Sequence, residues 1–140
     1  MKGLGKDFNV VAVADGVWLN MRDYTGVTFI SINAAGETIT IQEATAQAGT
    51  GNVDLVVIDE SWVQATGNGT EVWSRLTQTA AATEVFSASQ DVGAVYVDQD
   101  DLSDGFDFVS CASTSTGLVI AILHGLAVQR APENLPAVSA

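Results

Sequence analysis

The sequence contains little cysteine, proline or positive charge. Its 140 residues include one cysteine, two prolines and five basic side chains, against 17 acidic ones, for a net charge of −12. Because Cys111 is alone, neither an intrachain disulfide nor a cysteine-based metal site can form within one chain. Nucleic-acid binders and proteins that dock on anionic membranes need a basic face, so the charge argues against both kinds of partner.

Long apolar segments are also missing. The longest run, Gly117–Leu123, is far shorter than the roughly 20 residues of a membrane-spanning helix. The N-terminus, MKGLGKDFNVV, lacks the apolar stretch of about 7–15 residues that marks a signal peptide. We therefore predict a soluble protein with no membrane partner, and the single cysteine is typical of synthesis in a reducing cytoplasm.

The dominant hydrophobic period is two residues, which is typical of β-strands. Gly26–Ile32 carries apolar side chains on both faces, and Glu37–Glu43 alternates cleanly, with Ile39 and Ile41 on one side. Between them, Asn33–Gly36 has the composition of a turn. The pattern predicts a β-hairpin over residues 26–43.

Other short segments are rich in β-branched and aromatic residues and are separated by spacers containing glycine and asparagine. These predicted strands are Phe8–Val13, Val53–Ile58, Thr70–Leu76, Glu84–Ser87, Ala94–Asp98, Phe106–Ser110 and Leu118–His124. Eight to nine short strands, with one weak helical turn at Gln99–Asp104, predict an all-β fold: an antiparallel β-sandwich or a jelly-roll-like domain. We assign residues 1–8 to a flexible N-terminal arm, 9–125 to a single β domain and 126–140 to an extended C-terminal tail.

An acidic cluster is the first candidate for a metal site. Its members are Asp98, Asp100, Asp101, Asp104 and Asp107. Counted from Asp100, an EF-hand loop would need an acid at Leu102 and a glutamate at Cys111, so the calcium-binding template fails. We expect a solvated acidic turn and no metal or cofactor.

The candidate catalytic groups are isolated. His124 ends an apolar strand and has no G-x-S-x-G nucleophile motif to accompany it, and Cys111 fits a small buried side chain. Asp59 and Glu60 lie beside Trp62, as in a sugar-processing site, but adjacent strand residues point to opposite faces. We predict that the protein is not an enzyme.

Tryptophan and low charge point to protein–protein contacts. Only 16% of residues are charged, against about 25% in an average domain. Such a surface suits packing against other subunits, and tryptophan is favoured at interfaces as well as in cores. For Trp18, Trp62 and Trp73, both core packing and intermolecular contact remain open at this point.

The order of motifs resembles that of short virion structural proteins of tailed bacteriophages, of the capsid decoration (cement) type. The successive blocks are MKGLGKDFNVV, YTGVTFISINAAGETITIQEATAQAGTG, EVWSRLTQTAAA, AVYVDQDDLSDGFDFVSC and LVIAILHGLAV. Ile39–Thr45 and Asp101–Asp107, the latter followed by Leu118–Leu123, carry the likeness, which covers roughly residues 1–125. The sequence departs from the pattern by continuing through Val128–Glu133 instead of closing soon after the last strand.

The resemblance implies a non-enzymatic protein that is synthesised in the host cytoplasm and binds the outer surface of the phage head. Its partner there would be the major capsid protein, and its role would be to stabilise contacts between capsid subunits. We expect a homo-oligomer, with a trimer favoured over a dimer. The candidate residues for capsid or subunit contact are Lys2, Lys6, Phe8, Trp18, Trp62, Trp73 and Arg130.

Two alternatives stay open at the level of sequence. One is a tail, neck or fibre-associated virion subunit, although this chain lacks the long loops that tube subunits insert between neighbours. The other is a carbohydrate-binding β-sandwich displayed on the particle, with Trp62 or Trp73 as a stacking platform. The carbohydrate alternative predicts an exposed aromatic side chain in a concave site.

Overall fold

The computed structural model describes residues 8–114, 118–127, 134–135 and 137–139. This part of the chain contains eleven β-strands and a 3₁₀ helix over Gln99–Asp101. The strands are β1 Phe8–Val13, β2 Leu19–Asn20, β3 Gly26–Ile32, β4 Thr38–Ala44, β5 Val53–Asp54, β6 Ile58–Gln64, β7 Ser74–Ala81, β8 Thr83–Val85, β9 Val92–Asp98, β10 Phe108–Ser113 and β11 Leu118–His124.

The strands form two antiparallel sheets that pack face to face. The larger sheet has the order β1-β11-β3-β9-β6-β7, and the smaller has the order β2-β10-β4-β5, with β8 also paired to β4. Side chains from both sheets join one hydrophobic core, in which Phe29 and Val95 of the larger sheet meet Ile39 and Ile41 of the smaller. The predicted all-β antiparallel sandwich is confirmed, with more strands than the eight to nine expected.

The predicted hairpin over residues 26–43 is wrong, although both of its strands exist. β3 belongs to the larger sheet and β4 to the smaller, so the segment between them crosses from one sheet to the other. Ala34 and Glu37 are fully buried there, and the Ala34 amide donates to the carbonyl of Asp91 at 2.9 Å. A two-residue period identifies the inward side chains of a strand but not the strand with which it pairs.

The strands around Trp62 also differ from the prediction. Instead of one strand over Val53–Ile58, the short β5 is followed by the separate strand β6, and β7 begins at Ser74 rather than Thr70. The register between β6 and β7 shifts between Ile58 and Glu60. Such an irregularity interrupts the alternation of the side chains. Asp59 and Glu60 are therefore both exposed, and the two-residue period that would have predicted this strand is lost.

The acidic turn at Gln99–Asp104 contains the 3₁₀ helix, as expected for its composition. Asp98 caps the helix by accepting from the Asp100 amide, and the Asp101 carboxylate accepts from the Asp98 amide, both at 3.0 Å. This reciprocal capping box fixes the start of the turn. The carboxylates of Asp98 and Asp101 therefore accept hydrogen bonds from backbone amides and are also in contact with solvent.

The two ends of the chain are described only in part. Of the predicted arm, only Phe8 lies within the described residues, where its backbone pairs with His124. In the predicted tail, Val138 is buried in the core, and its carbonyl accepts from the Asn20 amide at 2.8 Å. That contact anchors the end of the chain beside β2.

Candidate functional site

The outward side of the six-stranded sheet carries rows of mainly apolar residues across β1, β11, β3 and β9, and we call it the outer face. Alternate residues of β3, β9 and β11 are buried in the sandwich, and the residues between them are half-buried or exposed. Three rows of these residues run across the strands in register: Ala12, Ile120, Ile30, Ala94 and Trp62; Val10, Ile122, Thr28 and Tyr96; and Leu118, Ile32 and Val92. Among the described residues, no strand or helix packs on this face as a second layer.

A concave depression lies at the β9–β6 side of the outer face. It has a volume of about 240 Å³ and is lined by Trp62, Tyr96, Asp59, Glu60, Asp101 and Val57. Trp62 is 40% exposed and Tyr96 is 50% exposed. The depression therefore combines two accessible aromatic side chains with three carboxylates.

The position of the two adjacent acids corrects a prediction from the sequence. Asp59 and Glu60 were expected on opposite faces of a strand, but both are exposed and both line the depression beside Trp62. The register shift between Ile58 and Glu60 is the physical reason, because it breaks the alternation at this point.

The charge in the depression is predominantly negative. Glu60 forms an ion pair with Arg75, with 3.3 Å between Oε2 and Nε. Among the described residues, Asp59 has neither a hydrogen-bond nor an ion-pair partner. Of the three carboxylates in the depression, only Glu60 has an ion-pair partner among the described residues, and that partner is Arg75.

Tyr96 carries its hydroxyl next to these acids. The hydroxyl donates to Asp98 Oδ2 at 3.3 Å. Partial burial raises the pKa of Tyr96, and the negative charges of Asp98 and Asp101 raise it further. The phenol therefore stays protonated at neutral pH and remains a hydrogen-bond donor.

A second exposed apolar group lies at the end of the β6–β7 connection. The Glu71 carboxylate accepts from the amides of Ala65 at 2.7 Å and Thr66 at 3.2 Å, and from the Thr66 hydroxyl at 2.7 Å. These bonds, led by that of the Thr66 side chain, lower the pKa of Glu71. Next to this anchor, Val72 is 85% exposed and Trp73 is 43% exposed.

The remaining predicted contact residues fall into two groups. Trp18 is only 8% exposed and packs with Ala44 and Phe108 in a second hydrophobic cluster of this chain. Lys2, Lys6 and Arg130 lie outside the described residues, as does the side chain of Phe8. Trp62 and Trp73 are thus the predicted contact residues whose exposed side chains the structure describes.

Several buried glutamates bond to serine hydroxyls inside the sandwich. Glu37 accepts from Ser31 and Ser113, and Glu43 accepts from both the amide and the hydroxyl of Ser103. Burial raises the pKa of Glu84. These carboxyls are directed into the fold and not toward a ligand.

The histidine and the cysteine occupy structural positions. His124 Nε2 lies 2.8 Å from the Thr28 hydroxyl, and burial lowers the pKa of the imidazole. Cys111 is buried, and burial together with the charges of Glu37 and Asp15 raises the pKa of its thiol to about 12. A thiol with that pKa is a poor nucleophile, because the thiolate is the reactive form.

The described part of the chain shows neither a cluster of metal ligands nor a membrane-spanning helix. Its His, Cys, Asp and Glu side chains form no group of three or more that is arranged to hold a metal ion. Among its helical segments, none has the length and apolar character needed to cross a membrane.

Comparisons with protein-family models, with curated proteins and with solved structures found no match to this chain.

The aromatic depression was only partly visible in the sequence. Trp62 and the neighbouring acids were singled out, but Tyr96 and Asp101 were not connected with them. Tyr96 could have been found from the segment AVYVD, in which Val95 and Val97 point inward and the tyrosine between them must point outward. No local pattern connects β9 with β6, because 27 residues separate Gln64 from Val92.

Proposed function

We propose that this protein is a non-enzymatic virion structural protein of the capsid decoration type. It binds the outer surface of a phage head and stabilises contacts between capsid subunits. The observation that carries the proposal is the outer face, a sheet surface with apolar rows, one of which ends at exposed Trp62. Apolar surfaces of this kind mark protein–protein interaction sites.

Charge and motif order support the same proposal. A net charge of −12 favours a position outside the head, because packaged DNA would repel the protein from the interior. The low content of charged residues suits repeated weak contacts on a lattice of identical subunits. The motif blocks that resemble decoration proteins supply the expected partner, the major capsid protein, and the expected homo-oligomer.

The location is tested by quantitative mass spectrometry of purified particles of the phage that encodes this chain, with heads and tails separated. We expect an abundance comparable to that of the major capsid protein, confined to heads. Detection in tails alone would instead support a tail, neck or fibre subunit. Absence from both fractions would refute a structural role in the particle.

The docking surface is tested with a matched pair of valine substitutions. Val10→Glu places a charge on the outer face, and Val85→Glu places the same charge on the exposed side of β8 in the other sheet. Both valines are exposed, so both variants should fold. We expect only Val10→Glu to lose binding to heads that lack the protein; equal binding by both variants would exclude the outer face.

A saccharide-binding β-sandwich is the second candidate, and the position of Trp62 in a concave depression favours it. Sugar rings stack on exposed aromatic faces, and carboxylates accept from their hydroxyls. A glycan array would support this function if binding were saturable and lost in Trp62→Ala. An array with no binding would leave the decoration function as the single proposal.

A further inference from the structure

The depression at Trp62 and Tyr96 differs from the rest of the outer face because it is acidic. The rows beside it consist of side chains such as Ile30, Ile120 and Ala94. The depression is lined by the two aromatic side chains and by the carboxylates of Asp59, Glu60 and Asp101. A ligand that enters must therefore satisfy aromatic faces and carboxylates together.

A cationic group satisfies both requirements. The faces of tryptophan and tyrosine attract cations through their quadrupoles, and carboxylates bind guanidinium and ammonium groups through charge-assisted hydrogen bonds. The described part of the chain provides no cation for Asp59, since its ion pairs are Arg22–Asp107 and Arg75–Glu60. The exposed carboxylate of Asp59 is therefore available to a basic group from outside this part of the molecule.

The size of the depression indicates a side chain and not a whole small molecule. Its volume of about 240 Å³ is below the range of about 300–1,000 Å³ that is typical of small-molecule pockets. It also opens onto the outer face, so a protein that covers the apolar rows would bring its own side chains to this point. Arginine suits such a site better than lysine, because its planar group stacks on aromatic rings and binds carboxylates through two bonds.

We infer that the depression lined by Trp62, Tyr96, Asp59, Glu60 and Asp101 binds a basic side chain, preferably arginine, of a partner protein that docks on the outer face. The pKa of Tyr96 is raised first by burial and then by the charges of Asp98 and Asp101, so its hydroxyl lies next to negative charge at the rim of the depression. Only the identification of the partner as a capsid subunit rests on the proposed function. Binding of the basic group follows from the geometry of the depression.

The site is tested by titrating the ¹⁵N-labelled full chain with N-acetylarginine methylamide and, separately, with the neutral citrulline analogue. The three indole N–H signals, assigned with tryptophan-to-phenylalanine variants, serve as reporters. We expect the Trp62 signal to shift with the arginine probe and not with citrulline. Trp18 and Trp73 are internal controls and should not move, and added salt should weaken the binding because the charges are exposed.

Substitution of one carboxylate by its amide tests whether the negative charge in the depression contributes to arginine binding. Asp59→Asn should weaken arginine binding about two- to fivefold, the range expected for one exposed ion pair. Asp54→Asn removes the same charge from β5 in the other sheet and should have no effect. Equal weakening by the two variants would show that net charge, not the depression, attracts the probe.

Four further outcomes would overturn the inference. They are an equal response to citrulline, no response to either probe, a Trp62 shift with a panel of neutral saccharides, and a Trp62 shift without a probe in Lys2→Gln/Lys6→Gln or in Arg130→Gln. The last result would mean that a basic side chain of this chain already occupies the depression. Because the titration uses no phage particles, its failure would leave the decoration function standing, and absence of the protein from particles would leave this site standing.

Discussion

Alanine at Gly93 should destabilise the fold much more than alanine at Gly26. Both glycines lie in adjacent strands of the six-stranded sheet, and at both positions a methyl group would meet an aromatic ring. At Gly93, the new Cβ would lie 2.3 Å from two atoms of the Phe86 ring, which is fully buried. Overpacking of a filled core costs about 1–3 kcal/mol, so we expect Gly93→Ala to lose that much stability.

At Gly26, the clash is as close but can be relieved. The new Cβ would lie 2.1 Å from the hydroxyl of Tyr96 and 2.5 Å from its Cζ. Because Tyr96 is half-exposed, the ring can turn toward solvent, at the loss of its 3.3 Å bond to Asp98 and its tilted contact with the His124 ring. Replacing glycine also gains about 0.4–1 kcal/mol by restricting the unfolded chain, so we expect a net change near zero.

The comparison requires urea and thermal unfolding of both variants, monitored by tryptophan fluorescence and by circular dichroism. A loss of 1 kcal/mol should lower the Tm by about 3–5 °C in a domain of this size. Phe86→Leu should recover part of the loss in the Gly93→Ala background, since a smaller side chain makes room for the methyl group. Equal destabilisation by the two alanines, or strict additivity of Gly93→Ala and Phe86→Leu, would refute the reasoning.

Three further predictions follow from the pKa values. Because the pKa of the Cys111 thiol is about 12, a disulfide reagent at pH 8 should label the protein only after denaturation, and rapid native labelling would contradict its burial. Folding raises the pKa of Glu84 above its ordinary 4.5, so ionisation opposes folding: Glu84→Gln should match the wild type below about pH 4.5 in thermal unfolding and become relatively more stable as the pH rises through the raised value. If the advantage instead grows toward low pH, the assigned direction is wrong. Folding lowers the pKa of Glu71, so its stabilising effect should be present above pH 4.5 and disappear as the pH falls through the lowered value; Glu71→Gln should accelerate hydrogen exchange at the Ala65 and Thr66 amides, and unchanged exchange would mean that the loop does not depend on this carboxylate.

The alternation of side chains predicted strands more reliably than their pairing. β1, β3 and β11 have the predicted bounds, and β4 is shifted by one residue from the predicted Glu37–Glu43, because an inward residue such as Phe29 must alternate with outward ones. The assignment of 26–43 as a hairpin failed because Asn33–Gly36, which has the composition of a turn, instead connects the two sheets, with Ala34 buried between them. Pairing depends on distant strands, and local composition does not report them.

The candidate site shows the same limit more clearly. Trp62 and its neighbouring acids were visible as a group, but a single register shift decided which way Asp59 and Glu60 face. The contribution of Tyr96 depended on β9 lying beside β6, which no local motif indicates. Residue types could therefore be proposed from sequence, whereas their convergence required the topology of the sheet.

The position of β11 between β1 and β3 has a consequence for synthesis on the ribosome. Both β1 and β3 emerge long before Leu118, the first residue of the strand that joins them. At about 5–20 residues per second, the interval between the synthesis of β3 and of β11 lasts on the order of ten seconds. During this time, the edge of β3 that pairs with β11 has no neighbouring strand. We expect nascent chains that stop before Leu118 to be held by chaperones, and the large sheet to form only once the last strand has left the exit tunnel.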